Sequence, residues 1–216
     1  MNLREWGWDE EWAAAFAPHA ADGLQPARVV RQDRGACELQ LADGPRTAEP
    51  TGRFRHAVEG GEADMPAVGD WTTVDPRPTC ARAGIAAVLP RRTCLSRREV
   101  GRATREQVLA ANVDVVFLVS ALDAGRGFNL ARLERALALV RASGAEAVVV
   151  LNKADLCDDI AGRVRAAQGA APDVPVAAWS AIEGWGVEEL RPWLADHRTG
   201  VLLGPSGVGK SALVNA

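Results

Sequence analysis

The second half of the chain alternates unbroken apolar runs with helical stretches, and this pattern restricts its fold more than any other feature. The apolar runs occupy residues 115–119, 147–151, 174–178 and 201–203. Such runs are typical of strands that are buried on both faces of a parallel sheet. Helices are predicted between them, at residues 129–143, 160–168 and 187–197. The alternation therefore predicts an α/β fold in which a parallel sheet carries flanking helices.

The first half of the chain has a different sequence pattern, with short β-like runs separated by Gly, Pro and Asp. Five runs are recognised, at residues 27–31, 36–41, 53–58, 70–74 and 85–89. Five short strands in this length suit a small barrel, and the five-stranded OB-fold is the commonest such architecture. OB-folds bind oligonucleotides, but the fold alone does not establish RNA binding.

A short amphipathic helix is predicted before the barrel. Trp8, Trp12 and Phe16 follow one another at intervals of four residues, which places three aromatic rings on one helical face. The rings could pack on the neighbouring domain or form a platform for stacking bases. Acidic neighbours favour packing, because stacking surfaces usually carry basic neighbours.

Charge and composition exclude some classes of partner. The chain has 216 residues and a net charge of −3, which argues against non-specific adhesion of the whole molecule to nucleic acid or to an anionic membrane. Because no apolar run could span a bilayer and the first residues lack the order of a secretory signal, we expect a cytoplasmic protein without a membrane partner. The four cysteines are scattered, and their spacing predicts neither a zinc site nor a disulfide framework. They are Cys37, Cys80, Cys94 and Cys157.

The segment 91–105 is locally basic. It contains six arginines against one glutamate, which gives a local charge of +5. A phosphate backbone would be attracted to this segment. A solvated hinge without a ligand explains the same composition, because basic linkers are common, and the segment alone does not decide between the two.

Residues 204–211 match the phosphate-loop pattern G-x-x-x-x-G-K-[ST], between a predicted strand and a predicted helix. The eight residues are Gly204, Pro205, Ser206, Gly207, Val208, Gly209, Lys210 and Ser211. The glycines allow the backbone to curl around a phosphate, Lys210 supplies a positive charge, and the Ser211 hydroxyl can bind Mg²⁺. Lys210 and Ser211 are therefore the candidate catalytic residues. The alternative, a plain glycine-rich turn, is disfavoured by the order of strand, loop and helix.

A second motif, N-K-x-D, comes directly after the run 147–151 as Asn152, Lys153, Ala154 and Asp155. Guanine presents two adjacent donors, N1–H and the 2-amino group, so the Asp155 carboxylate can accept both, whereas adenine offers no such pair. The Lys153 stem can lie along the base with its ammonium in solvent, and Asn152 can link the base to the phosphate loop. The alternative is that Asp155 caps the next helix.

A third element, Ser180 and Ala181, comes after the next predicted strand and would bring the Ala181 N–H towards O6 of guanine. Ser-Ala means nothing alone, but its place downstream of N-K-x-D strengthens the guanine assignment. The chain has only two lysines, Lys153 and Lys210, and both fall within these motifs. That coincidence argues for a GTP or GDP site rather than chance matches.

The order of the motifs is reversed relative to the common GTPase arrangement, because the phosphate loop comes last. The domain is therefore predicted to be circularly permuted. The chain resembles the circularly permuted, small-ribosomal-subunit-dependent GTPases of the RsgA family. Besides the nucleotide motifs, the resemblance is carried by Val68-Gly69-Asp70-Trp71, Leu89-Pro90-Arg91-Arg92, Leu95-Ser96-Arg97 and Ala110-Ala111-Asn112-Val113-Asp114.

The resemblance implies a function and partners. It implies an N-terminal OB-fold, a permuted GTPase domain that binds GTP, GDP and Mg²⁺, and hydrolysis of GTP in the late assembly of the small ribosomal subunit, which stimulates the reaction. It also implies contact between rRNA and the barrel with its basic linker. The alternative is a truncated rRNA-binding module without catalytic activity.

The same resemblance bears on the region after the phosphate loop. Members of the family continue through switch segments into a zinc-binding region, whereas this sequence stops at Ala216. We therefore expect weak nucleotide affinity, negligible hydrolysis and no zinc for the polypeptide as written. We expect a monomer, with association possible through an exposed sheet edge at residues 201–203.

The expected domains are an N-terminal helical extension at residues 1–22, an OB-fold barrel with its basic linker at 23–98, and a truncated, permuted GTPase domain at 99–216.

Overall fold

The computed structural model describes residues 2–33, 35–75, 82–98, 106–123 and 128–215. The chain divides into two compact units. The barrel unit comprises Met1–Cys94 and Arg98–Asn112, and the sheet unit comprises Leu95–Arg97 and Val113–Ala216.

The strands of the barrel unit's main sheet are β1 (Gln25–Asp33), β2 (Ala36–Leu41), β3 (Gly44–Pro50), β4 (Trp71–Asp75) and β5 (Ala83–Val88). They form a closed barrel in the order β1-β2-β3-β5-β4, with β1 also paired to β4. Strands β3 and β5 are parallel, and the other neighbours are antiparallel. The predicted five-stranded, OB-like barrel is therefore confirmed.

One of the five predicted strands is wrong. Residues 53–58 belong to helix α2 (Gly52–Glu59), and the third strand is the more polar Gly44–Pro50. Helix α2 begins where the Thr51 side chain accepts a hydrogen bond from the Phe54 N–H at 3.3 Å. Phe54 and Val58, four residues apart, both pack on the barrel core, and this spacing is that of a helix rather than of a strand.

The N-terminal residues form a short 3₁₀ helix, Leu3–Trp6, and helix α1, Glu10–Ala20. Asp9 caps α1 by accepting from the Trp12 N–H at 2.9 Å. Trp8 thus precedes the helix. The prediction that Trp8 shares one helical face with Trp12 and Phe16 is therefore wrong for Trp8. Trp12 is nevertheless buried with Trp71 in an apolar cluster, to which Trp8 and Phe16 add partly buried rings. The packing interpretation of these rings is therefore preferred to base stacking.

Buried polar groups stabilise the barrel unit internally. Asp70 is fully buried and accepts two hydrogen bonds from the Arg91 guanidinium, at 2.9 and 2.8 Å. This pairing raises the pKa of Arg91. Asn112, in a left-handed conformation at φ 53°, donates to the Gly69 carbonyl and accepts from the Arg92 N–H. Gly69 admits no side chain, because a Cβ there would lie 2.0 Å from the Ala111 carbonyl oxygen.

The described part of the basic segment is partly used within this unit. Arg91 pairs with Asp70, while Arg92 pairs with Asp9 at 2.6 Å and lies 4.2 Å from the centre of the Trp12 ring. Arg97 is exposed. The Arg98 side chain, Arg102 and Arg105 lie outside what the structure describes. At least two of the six arginines therefore have structural roles that the sequence did not indicate.

The strands of the sheet unit are β8 (Val115–Ala121), β9 (Glu146–Asn152), β10 (Val176–Ala178) and β11 (Gly200–Leu203). They are parallel and lie in the order β10-β9-β8-β11. With its helices the sheet unit confirms the predicted parallel α/β sheet. Strands β8 and β9 are almost wholly buried, whereas β10 and β11 are half-buried because, among the described residues, each lies at an edge. Strands β6 (Cys94–Arg98) and β7 (Glu106–Ala111) form a separate two-stranded sheet.

The helices of the sheet unit are α3 (Leu130–Ser143), α4 (Ile160–Ala170) and α5 (Lys210–Val214). Residues 187–197, predicted as one helix, instead form 3₁₀ segments at Val187–Glu189 and Arg191–His197. The second begins with proline near its first position and is interrupted at Ala195 and Asp196, which have non-helical backbone angles.

No helix within the described ranges has the length and apolar character needed to cross a membrane. Among the described residues, Cys37, Cys94 and Cys157 take part in no disulfide, and burial raises the pKa of Cys37. Cys80 lies outside the described residues.

Candidate nucleotide-binding site

The three sequence motifs of the sheet unit come after three strands of one parallel sheet. N-K-x-D begins at the end of β9, Ser180 and Ala181 lie just beyond β10, and the phosphate loop begins after β11. Because the strands are parallel, their carboxyl ends lie at one edge of the sheet, where open α/β sheets bind ligands. The motifs are thus brought to the same edge although they are far apart in sequence.

Asn152 connects these loops directly. Its side chain is buried, and its Nδ2 donates to the Val208 carbonyl of the phosphate loop at 2.7 Å. Its Oδ1 accepts from the Lys153 N–H at 2.7 Å and, at 3.4 Å, from the Ala181 N–H. One amide therefore joins the N-K-x-D segment to the phosphate loop and to the Ser-Ala segment.

Asp155 lies in a 3₁₀ helix, Ala154–Leu156, and its Oδ1 accepts from the Ser180 hydroxyl at 2.5 Å. Ser180 is itself fully buried and its Oγ accepts from the Glu183 N–H at 3.2 Å. This contact orients the carboxylate towards the Ser-Ala segment. Asp155 does not cap the following helix, because α4 is capped by Asp159, which accepts from the Gly162 N–H.

Lys153 has an acidic partner that the sequence motifs do not include. Its backbone is left-handed at φ 60°, and its Nζ pairs with Oδ2 of Asp123 at 2.5 Å. Asp123 was missed by the sequence analysis. The available signal was its position just beyond β8, since β8 is the neighbour of the strand that carries Lys153.

The phosphate loop turns through two glycines with left-handed backbones, Gly207 at φ 80° and Gly209 at φ 94°. A Cβ at Gly209 would lie 2.1 Å from Nδ2 of Asn152, and one at Gly204 would lie 2.3 Å from the Val119 carbonyl oxygen. These contacts explain why glycine stands at both positions. A Cβ at Gly207 would meet nothing within 4 Å.

Lys210 and Ser211 lie in the first turn of α5. The Lys210 ammonium donates to the carbonyls of Gly204 and Pro205, at 2.9 and 2.7 Å. It is thus held over the loop, where an incoming anion would compete with two carbonyl oxygens. In the loop, Val208 is buried against the sheet core, whereas Ser206 and Gly207 are exposed.

Two apolar side chains are exposed beside these motifs. Leu156 comes after Asp155 and is 60% exposed, and Ile182 comes after Ala181 and is 82% exposed. Exposed apolar surface next to convergent polar groups is typical of a site for a partly apolar ligand.

Within the ranges that the structure describes, no three His, Cys, Asp or Glu side chains are grouped to hold a metal ion.

The sequence of residues 88–216 matches the family model described as RsgA GTPase. The chain belongs to the RsgA GTPase family. Among curated relatives, the small ribosomal subunit biogenesis GTPase RsgA of Opitutus terrae is 48% identical over all of this chain and 60% of its own length. That of Streptomyces coelicolor is 43% identical over 99% of this chain and 57% of its own length. The chain thus spans about 60% of the length of these RsgA relatives.

Solved structures agree with this membership. The crystal structure of YjeQ from Thermotoga maritima is 27% identical and superposes with a TM-score of 0.69 over 89% of this chain and 64% of its own. The structure of YloQ, described as a circularly permuted GTPase, superposes with a TM-score of 0.58 at 23% identity, which supports the fold alone. The predicted family is confirmed, and so is the fold, in which an OB-like barrel precedes a permuted GTPase domain along the chain.

Proposed function

We propose that this RsgA-family chain binds GTP and GDP at the edge of the sheet formed by the loops after β9, β10 and β11. The observation that carries the proposal is the Asn152 amide, which bonds to Val208 and accepts from the Ala181 N–H. A base bound by Asp155 and a phosphate bound by Lys210 would then belong to one nucleotide.

Guanine is the base that this site would select. The Asp155 carboxylate would accept hydrogen bonds from N1–H and the 2-amino group, while Ser180 holds one of its oxygens. The Ala181 N–H, whose bond to Asn152 is long at 3.4 Å, would turn to O6 of the base. Adenine would leave the carboxylate facing an acceptor, which a desolvated site penalises.

The phosphates would bind at the loop that precedes α5. Lys210 would exchange its bonds with the Gly204 and Pro205 carbonyls for bonds to the β- and γ-phosphate oxygens. The Ser211 hydroxyl is the oxygen ligand that this chain would offer to Mg²⁺, whose charge would offset that of the phosphates. Lys210 and Ser211 thus take the catalytic roles that this chain's residues offer for hydrolysis of GTP to GDP.

The biological role that we propose rests on the names of the relatives. The curated relatives are small ribosomal subunit biogenesis GTPases, so we propose that this chain acts with the small ribosomal subunit in the cytoplasm, as a monomer. The OB-like barrel would contact rRNA. We further propose the domain limits 1–22, 23–98 and 99–216.

The alternative is an rRNA-binding module without hydrolytic activity. It is favoured by the closed barrel with its OB-like strand order. The pairing of Arg91 and Arg92 argues against this alternative, because acidic partners within the barrel unit already hold both guanidinium groups. A module of this kind would bind rRNA with the same affinity whether GTP, GDP or no nucleotide is present.

The base assignment is tested by changing Asp155 to Asn. An amide can donate to the 2-carbonyl of xanthine, so we expect preference to move from GTP towards XTP by about a hundredfold. Competition binding of GTP and XTP measures this. Asp159→Asn is the matched control, because asparagine retains the cap of α4. An unchanged preference in Asp155→Asn would remove Asp155 from the site, and equal calorimetric titrations of GDP and ADP would refute guanine recognition.

A further inference from the structure

The ion pair between Lys153 and Asp123 lies beside the proposed base site, and its acidic member belongs to none of the sequence motifs. The Lys153 ammonium is 2.5 Å from Oδ2 of Asp123, and each side chain is 29% exposed. Neither residue is therefore buried enough for the pair to be required simply to neutralise an interior charge. The pair is better explained by what it does to the lysine side chain.

Hydrogen bonds near the ends of β9 and β10 hold the main chain next to each member of the pair. Leu122, which precedes Asp123, donates its N–H to the Asn152 carbonyl at 2.8 Å. Lys153 donates its own N–H to the Asn152 side chain, and Ala154 donates to the Trp179 carbonyl at 3.1 Å. With the main chain held in this way, the freedom left to Lys153 is that of its side-chain torsions, and the ion pair restricts those.

We infer that Asp123 is a positioning residue for the guanine base and that it acts through Lys153. By holding the ammonium at the end of β8, it fixes the direction of the apolar lysine stem, which then offers a preformed wall to one face of the base. This inference rests on the proposed function, since it deepens the account of how the same site receives its base. Immobilising a long side chain before binding removes an entropic cost from the binding step.

The inference predicts an effect on affinity that is larger than the effect on stability. Partly exposed ion pairs contribute little to folding, because solvent screens them. Restricting one flexible side chain corresponds to roughly a three- to tenfold change in affinity. An ion pair that served only the fold would change the unfolding midpoint and leave the affinity alone.

The first experiment measures GDP affinity calorimetrically in Asp123→Asn, which removes the charge and keeps the shape. We expect binding about three- to tenfold weaker than in the unaltered chain, with the unfolding midpoint nearly unchanged. Asp173→Asn is the matched control, because Asp173 is an exposed aspartate in the turn after α4. In a Lys153→Met background, Asp123→Asn should have no further effect, because the residue through which it acts is gone.

The second experiment reports on the lysine without any nucleotide. Lys153 and Lys210 are the only lysines, so an amine-selective reagent followed by mass spectrometry measures each one separately. Asp123→Asn should raise the labelling rate of Lys153 severalfold relative to Lys210, whereas Asp123→Glu, which keeps the carboxylate, should retain most of the protection and most of the GDP affinity.

The outcomes separate the inference from the function on which it rests. If the unaltered chain binds GDP and Asp123→Asn binds it equally well, Asp123 has no positioning role and the proposed function stands. Equal losses of affinity in the Asn and Glu variants would overturn the inference, because the loss would not depend on the carboxylate. If the unaltered chain shows no preference for GDP over ADP, both proposals are wrong.

Discussion

The barrel unit and the sheet unit both bury polar side chains, but they satisfy them in different ways. In the barrel unit, Asp70 is enclosed by Arg91 and Asn112 bonds to the Gly69 carbonyl. In the sheet unit, Asn152 and Ser180 are buried at the carboxyl ends of strands, where their partners belong to loops. Buried polar groups must be hydrogen-bonded in either case. A closed network of this kind stabilises the fold of one unit, whereas a network at a sheet edge joins separate loops into a site.

Removing the Asp70 carboxylate tests the closed network of the barrel unit and should destabilise the protein most. Asp70→Asn would leave the Arg91 guanidinium, whose side chain is 11% exposed, without its buried counter-charge. We expect a loss of about 3 kcal/mol in the free energy of unfolding, because the buried guanidinium would keep only the exposed carboxylate of Asp64 as a counter-charge. Equilibrium unfolding in urea measures it. Asp64→Asn is the control, since Asp64 pairs with the same arginine but is 79% exposed and should cost under about 1 kcal/mol. Similar losses in the two variants would contradict the comparison.

The next effect tests the network at the sheet edge. Gly209→Ala places a methyl group 2.1 Å from Nδ2 of Asn152 and so breaks its bond to Val208, whereas Gly207→Ala meets no atom within 4 Å. In both variants the alanine must adopt a left-handed backbone, which lowers the free energy of unfolding by about 1–2 kcal/mol. Gly209→Ala should lose about 2 kcal/mol more, because it also leaves a buried amide unpaired. It should also lose GDP affinity.

Urea unfolding and GDP titration of these two glycine variants provide the measurement. The shared backbone strain cancels between them, so the difference isolates the Asn152 contact. If Gly207→Ala and Gly209→Ala lost equal stability, the loops would not depend on Asn152, and the contrast between the two units would fail.

The smallest effect concerns an exposed pair of the barrel unit. The hydrogen bond from Arg92 lowers the pKa of Asp9 from 3.8 to about 2. Since the folded-state pKa is depressed, the stabilisation is present above about pH 4 and is lost as the pH falls towards 2. Asp9 is 47% exposed, so Asp9→Asn should cost only about 0.5 kcal/mol at pH 6.

Asparagine can still cap α1, so the Asp9→Asn variant isolates the charge. Unfolding free energies measured from about pH 6 down to about pH 2.5 should show the difference between parent and variant shrinking with acid. A difference that stayed constant with pH would assign the role of Asp9 to capping alone.

Much of the sheet unit was predictable from sequence. Residues 115–119 and 147–151 are long apolar runs, and they form the two central strands. Residues 53–58 were misassigned because a short half-apolar segment fits a strand as well as a helix, and the choice depended on the Thr51 cap and on Phe54 packing into the barrel. The single helix predicted at residues 187–197 is wrong for a related reason, since apolar spacing does not reveal the non-helical backbone at Ala195 and Asp196.

The sequence alone specifies the motifs, their permuted order and the alternation that predicts a parallel sheet, because glycine requirements and hydrophobic periodicity are local properties. It could not determine that Asn152 would reach Val208, 56 residues away, that Asp123 would hold Lys153, or that Arg91 would enclose Asp70. Those contacts exist only once strand register and barrel closure bring distant backbone segments within hydrogen-bonding distance. Side-chain hydrogen bonds act over about 3 Å, so the partners of a polar residue are decided by the tertiary structure.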